Sequence, residues 1–161
     1  MRLNSSFALL APVFLAALLV PASGFAQDDC KGTFVDGECV EGYVYVPDFM
    51  TPQDLKKAID EHSKDIVIVD TAAPPIWEDE HIPGAVNVPY AKNITAPAQI
   101  SREKTLVVYC ACKDDEDSKE VARQLSLLGY RKVKVLKGGW FKWLDLKYQT
   151  VSKDDEKGAK G

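Results

Sequence analysis

The chain has 161 residues, 46% of them hydrophobic and 27% charged, with a formal net charge of −4. That length suits one ordinary domain. The charge comes mainly from solvated Asp and Glu, and no basic stripe points to a nucleic-acid partner.

Residues 1–26 read as an export signal. Arg2 precedes an apolar run from Phe7 to Val20, and Pro21-Ala22-Ser23-Gly24-Phe25-Ala26 puts small residues before a cut after Ala26. The run is shorter than the ~20 residues that span a bilayer. An uncleaved anchor is the alternative; after cleavage no membrane contact is expected. Export implies the periplasm or secretion, where disulfides persist.

Residues 27–44 form a small cysteine-bearing segment. Cys30 and Cys39 flank Asp36-Gly37, a strong hairpin-turn signal. A bridge between them would stabilise so short a loop by about 2–3 kcal/mol. The chain has four cysteines, so connectivity stays open from the sequence.

The main domain is expected over 45–148. Thr51-Pro52-Gln53-Asp54 starts a helix, with an N-cap threonine, proline at the first position and an acid in the first turn; Leu55, Ala58 and Ile59 make its apolar stripe. Ile66-Val67-Ile68-Val69 is a buried strand ended by Asp70. A Pro- and acid-rich loop runs from Ala73 to Glu80, and a short strand occupies 85–88. Residues 91–104 connect to a second buried strand, Leu106-Val107-Val108-Tyr109, at whose end stands Cys110. A polar loop leads to Ser118, read as the N-cap of a helix carrying Val121, Ala122, Leu125 and Leu128 and stopped by Gly129. Residues 132–136 are the last strand, and Lys137-Gly138-Gly139 turns into a short helix with Trp140, Phe141, Trp143 and Leu144. The charged tail, 149–161, is expected to be disordered.

Strands alternating with helices predict an α/β fold, a doubly wound and mostly parallel sheet with helices on both faces. Ligands of such sheets bind beyond the carboxyl ends of the strands, where Asp70 and Cys110 both lie. A thiol there faces backbone N–H groups and the positive end of a helix.

Three stretches resemble the rhodanese family. Val69-Asp70-Thr71 with His81-Ile82-Pro83-Gly84-Ala85-Val86-Asn87-Val88-Pro89 is similar to its first signature. Val107-Val108-Tyr109-Cys110 resembles its active-site strand, and Gly129-Tyr130 with Val135-Leu136-Lys137-Gly138-Gly139-Trp140 and Trp143 resembles its closing signature. The resemblance covers Tyr45 to Lys147. It implies a sulfurtransferase: a catalytic Cys110 thiolate takes sulfane sulfur from a small donor such as thiosulfate and passes it from a persulfide to cyanide or a thiol, that of a periplasmic protein included. It implies no cofactor.

Several residues depart from the family pattern. Asp117 stands where active members carry an arginine, Ala72 replaces another arginine, Glu80 replaces a glycine, and the Cys110–Ser118 loop is longer and begins Cys-x-Cys. The substrate contacts expected are the loop residues Lys113, Asp114, Asp115, Glu116, Asp117 and Ser118. The acids repel a dianion and oppose a Cys110 thiolate, whereas Lys113 and the helix terminus favour both. The donor expected is therefore a persulfide, a protein thiol or a weakly charged sulfur compound rather than free thiosulfate.

Cys112 is an accessory thiol that could resolve a persulfide, form a disulfide with Cys110 or simply fill space. The two thiols make a thin signal for a soft metal, and no metal is assigned. Asp70 and His81 are supporting residues: Asp70 accepts hydrogen bonds at its strand end, and the resemblance places His81 in a structural turn rather than as a base for Cys110. Two rival functions follow, a thiol–disulfide redox protein using Cys110 and Cys112, and a binding module on a degenerate scaffold.

Overall fold

The computed structural model of the protein describes residues 32–35 and 37–158. The expected signal (1–26), Cys30 and residues 159–161 lie outside the described residues. In the segment before the domain, β1 (Thr33–Val35) and β2 (Glu38–Val40) pair antiparallel, with Phe34 opposite Cys39. Cys39 is disulfide-bonded.

The sheet of the main domain contains β3 (Asp48–Met50), β4 (Ile66–Asp70), β5 (Val86–Asn87), β6 (Thr105–Tyr109) and β7 (Val133–Leu136), in the order β3-β7-β6-β4-β5. Every neighbouring pair is parallel. The helices are α1 (Pro52–Asp60), α2 (Pro74–Asp79), α3 (Glu116–Leu127), α4 (Gly139–Asp145) and α5 (Lys153–Gly158). This is the doubly wound α/β architecture expected.

Alternation along the strands divides the core between two faces. Val69, Leu106, Val108, Val133 and Val135 pack on one face with Val121, Ala122 and Leu125 of α3. Ile68, Val107, Tyr109 and Leu136 pack on the other with Leu55 of α1 and Trp143 of α4. β6 lies in the middle, and Leu106, Val107 and Val108 are fully buried because helices cover both sides. Cys110 therefore sits at the end of the most enclosed strand.

Four features differ from the sequence reading. β3 was not expected. It is only three residues long and is held by parallel pairing to β7 and by an ion pair from Lys134 Nζ to Asp48 at 2.7 Å. Residues 74–79 are helical rather than loop, since both prolines occupy the first turn, where no N–H is needed. Helix α3 begins at Glu116, so Ser118 lies inside it and is not its N-cap.

Residues Lys153–Gly158 of the tail, expected to be disordered, form helix α5. Val151 pairs with the His81 backbone, and Lys153 contacts Glu78. Ser152 and Asp155 cap α5 reciprocally: the Ser152 N–H donates to the carboxylate at 2.9 Å and the Asp155 N–H to Ser152 Oγ at 3.2 Å.

Candidate active site

Cys110 follows β6 directly and is 2% exposed. Its carbonyl accepts the Trp140 N–H at 3.0 Å, which ties the strand end to the start of α4. Its sulfur is bonded to Cys112 Sγ, with the two Cα atoms 5.4 Å apart. The expected nucleophile and accessory thiol are thus joined, and neither is a thiol in this form. The polar neighbour of the Cys110 sulfur is Ser118 Oγ, 3.6 Å away. A bridged sulfur has no hydrogen to donate; the hydroxyl gives its own to the Asp115 carbonyl at 2.9 Å.

The loop folds back on itself to allow the bridge. Cys112 is extended, and Lys113–Asp115 form a 3₁₀ turn. Asp114 and Asp115 both adopt left-handed backbone, with φ of 56° and 58°. Two successive non-glycine residues there are costly and persist only where neighbours hold them. The hold comes from Asp115. Its side chain is turned inward, and its carboxylate accepts the Gly138 N–H at 3.0 Å.

Gly139 closes the same corner. A Cβ at that position would lie 2.5 Å from the Cys110 carbonyl oxygen and 3.1 Å from Asp115 Oδ1, on backbone with φ +50°. Only glycine allows this approach.

The expected substrate residues divide by burial. Lys113, Asp114 and Glu116 are exposed, and Asp117 is part-buried. Asp115 and Ser118 are buried. Asp115, expected among the substrate contacts, is buried with its carboxylate accepting the Gly138 N–H. No side chain caps the first turn of α3, and its first N–H, that of Glu116, is taken by the Lys113 carbonyl.

Behind the site, Asp70 is 3% exposed. It accepts the Ala72 N–H at 2.7 Å and the Tyr109 hydroxyl at 2.5 Å, and that hydroxyl accepts the Ile82 N–H at 3.1 Å. Burial pushes the Asp70 carboxyl above its ordinary range, although the bonds from Tyr109 and Ala72 and the nearby His81 pull it down. The Tyr109 phenol is raised by burial and then by the Asp70 charge. His81 is buried, bonds the Trp77 carbonyl through Nδ1 at 2.6 Å and stacks on the Trp77 ring. Its backbone pairs with that of Val151. Among the described residues no group of three or more His, Cys, Asp or Glu is placed to hold a metal ion.

The rhodanese-like domain family matches residues 51–146. The chain belongs to that family. The sulfur carrier protein TtuD of Thermus thermophilus is 31% identical over 91 residues, covering 47% of this chain and 32% of its own length. The thiosulfate:glutathione sulfurtransferase of Saccharomyces cerevisiae is 27% identical over 106 residues, covering 57% of this chain and 74% of its own. The solution structure of a rhodanese-like domain from Anabaena sp. has the same fold, with a TM-score of 0.56 at 22% identity over 66% of this chain and 80% of that one.

Two working parts of the site were missing from the sequence reading. One is the Asp115–Gly138 tie, whose partners lie 23 positions apart. The other is the Tyr109–Ile82 arm that serves Asp70, itself expected as an acceptor; the acid and tyrosine ending adjacent apolar strands were the available signal.

Proposed function

We propose that this protein is an exported sulfurtransferase that carries sulfane sulfur as a persulfide on Cys110. The observation that carries the proposal is the seat of that sulfur, at the carboxyl end of the central strand, 3.6 Å from Ser118 Oγ and beside the uncapped first turn of α3. Amides at a helix N-terminus favour an anion, here a thiolate and then a persulfide. The thiolate attacks the sulfane sulfur of the donor, whose S–S bond breaks to release the rest of the donor as an anion. A thiolate or cyanide acceptor then attacks the outer sulfur, and the Cys110 thiolate leaves.

Lys113 and the loop amides are the anion contacts in this proposal. Asp114 and Glu116 are exposed beside them and disfavour a dianion. The donor is therefore a persulfide or a protein-borne sulfur rather than free thiosulfate. A bridged Cys110 has no free valence, so sulfur uptake needs the reduced loop.

Intact-mass measurement tests this on reduced C112S treated with glutathione persulfide. The chain gains one sulfur atom, and C110S/C112S gains none. A C112S chain that takes no sulfur overturns the proposal. The Cys110–Cys112 bridge favours a second reading, a dithiol–disulfide redox protein, which cycles by two hydrogens with no sulfur added. Export is tested by fractionation: a periplasmic chain that begins at Gln27 supports it, and a cytoplasmic chain that keeps residues 1–26 overturns it.

A further inference from the structure

We infer that Cys112 is a resolving residue that displaces hydrosulfide from the Cys110 persulfide, so that the domain releases inorganic sulfide and is reset by a dithiol. This rests on the proposed Cys110 persulfide and names its fate.

A thiolate can attack a persulfide at two places. Attack on the outer sulfur moves the sulfane atom to the attacker. Attack on the inner sulfur expels hydrosulfide and leaves a disulfide. The structure joins Cys112 Sγ to Cys110 Sγ itself, which is the inner sulfur of the persulfide. The folded loop therefore holds Cys112 at the atom whose attack releases sulfide. That conformation is built in: Asp114 and Asp115 take left-handed backbone, and the Asp115 carboxylate is fixed to the Gly138 N–H.

The step balances. The Cys110 persulfide anion and the Cys112 thiol give the Cys110–Cys112 disulfide and HS⁻. The bond between Cys110 Sγ and the sulfane sulfur breaks, and the bond between the two cysteine sulfurs forms. The sulfane atom is reduced to sulfide and carries away the Cys112 proton, while the two cysteines are oxidised. An external dithiol returns both thiols and becomes a disulfide.

Exposure gives the reset its direction. Cys110 is 2% exposed, whereas Cys112 is only part-buried. The incoming thiolate meets the Cys112 sulfur, and Cys110 departs as the thiolate beside α3. The cycle thus regenerates the nucleophile that accepts the next sulfane sulfur.

A single-turnover experiment decides the matter. Reduced wild-type protein, freed of reductant and held without oxygen, is mixed with less than one equivalent of glutathione persulfide. Hydrosulfide is measured against protein-free decay, and peptide mass mapping follows residues 110–112. The expected result is one hydrosulfide per donor, with loss of two hydrogens from the mapped peptide. In C112S the peptide keeps one added sulfur, and hydrosulfide release is lost until a dithiol is supplied. Wild-type protein that keeps the added sulfur with both thiols unbridged overturns the inference and leaves the transferase intact. A glutathione adduct on C112S overturns it by showing the wrong first attack. No sulfur on either chain overturns the transferase proposal and this inference with it.

Discussion

The Asp115 carboxylate accepts the Gly138 N–H at 3.0 Å, and this bond fixes the loop after β6 to the turn before α4. Removing it should matter more than removing any exposed acid of the same loop. Asp115→Ala loses a charge-assisted hydrogen bond, a cost of about 1.5–3 kcal/mol. It also puts alanine on left-handed backbone that Asp and Asn tolerate better. Asp115→Asn keeps an acceptor and the backbone preference, and should lose less than half as much. Urea unfolding measures both, and the rate of Cys110–Cys112 closure after adding oxidant should fall in the alanine variant alone. Equal losses in the two variants would remove the tie from the account.

Gly139 is the tightest packing constraint at the site. Gly139→Ala places a methyl 2.5 Å from the Cys110 carbonyl oxygen. The oxygen belongs to backbone and cannot swing aside, and the left-handed φ adds about 1–2 kcal/mol of strain. The variant should unfold at lower denaturant and load sulfur more slowly once Cys112 is replaced by serine, because the strand end that carries Cys110 must shift. A chain as stable as the parent, with unchanged loading, would show that this corner is softer than its contacts imply.

Much of the frame was legible in the residues. Ile66 to Val69 and Leu106 to Tyr109 are unbroken apolar runs, and such runs in a chain of alternating helices read as interior parallel strands. Thr51 and Pro52 announced α1, and Thr51 Oγ1 does accept the Asp54 N–H at 3.1 Å. Ser118 misled because serine is a good N-cap, yet here α3 starts after two left-handed residues and its first turn has no side-chain cap. The inward turn of Asp115 was hidden for another reason. Its partner is an amide 23 positions away, and nothing in the acidic run distinguishes it from Asp114.

Tyr109 gives a prediction with a pH signature. Tyr109→Phe leaves one Asp70 oxygen and the Ile82 N–H without their partner, a cost of about 1–3 kcal/mol at neutral pH. Burial raises the Asp70 carboxyl, so the folded state holds its proton more tightly than the unfolded chain does. Its stabilising contribution is present below the ordinary carboxylate range and is lost as pH rises through the folded value. Without the Tyr109 bond that value moves higher, so the gap between variant and parent should widen with pH through the acid range. Above about pH 10 it should narrow, because the parent alone must ionise a phenol on unfolding. Stability curves by urea denaturation at a series of pH values would show both bends; a constant gap would mean that the two groups are not coupled.

The acids of the loop set donor choice through charge. Asp117 stands in the first turn of α3, next to the amides proposed to meet the donor. Each contact between its carboxylate and a charge on thiosulfate costs about 1 kcal/mol in water. Asp117→Asn removes that repulsion and weakens the helix only slightly, by about 0.3–1 kcal/mol of macrodipole interaction. Thiosulfate kcat/KM with a dithiol acceptor should rise about tenfold at low salt. Rates with glutathione persulfide should change less, since that donor brings less charge to the reacting end. Added salt should shrink the thiosulfate gain, because exposed charges are screened within about 10 Å at 0.1 M. If thiosulfate gains nothing at low salt, the carboxylate does not face the donor, and the preference for persulfide must come from shape rather than charge.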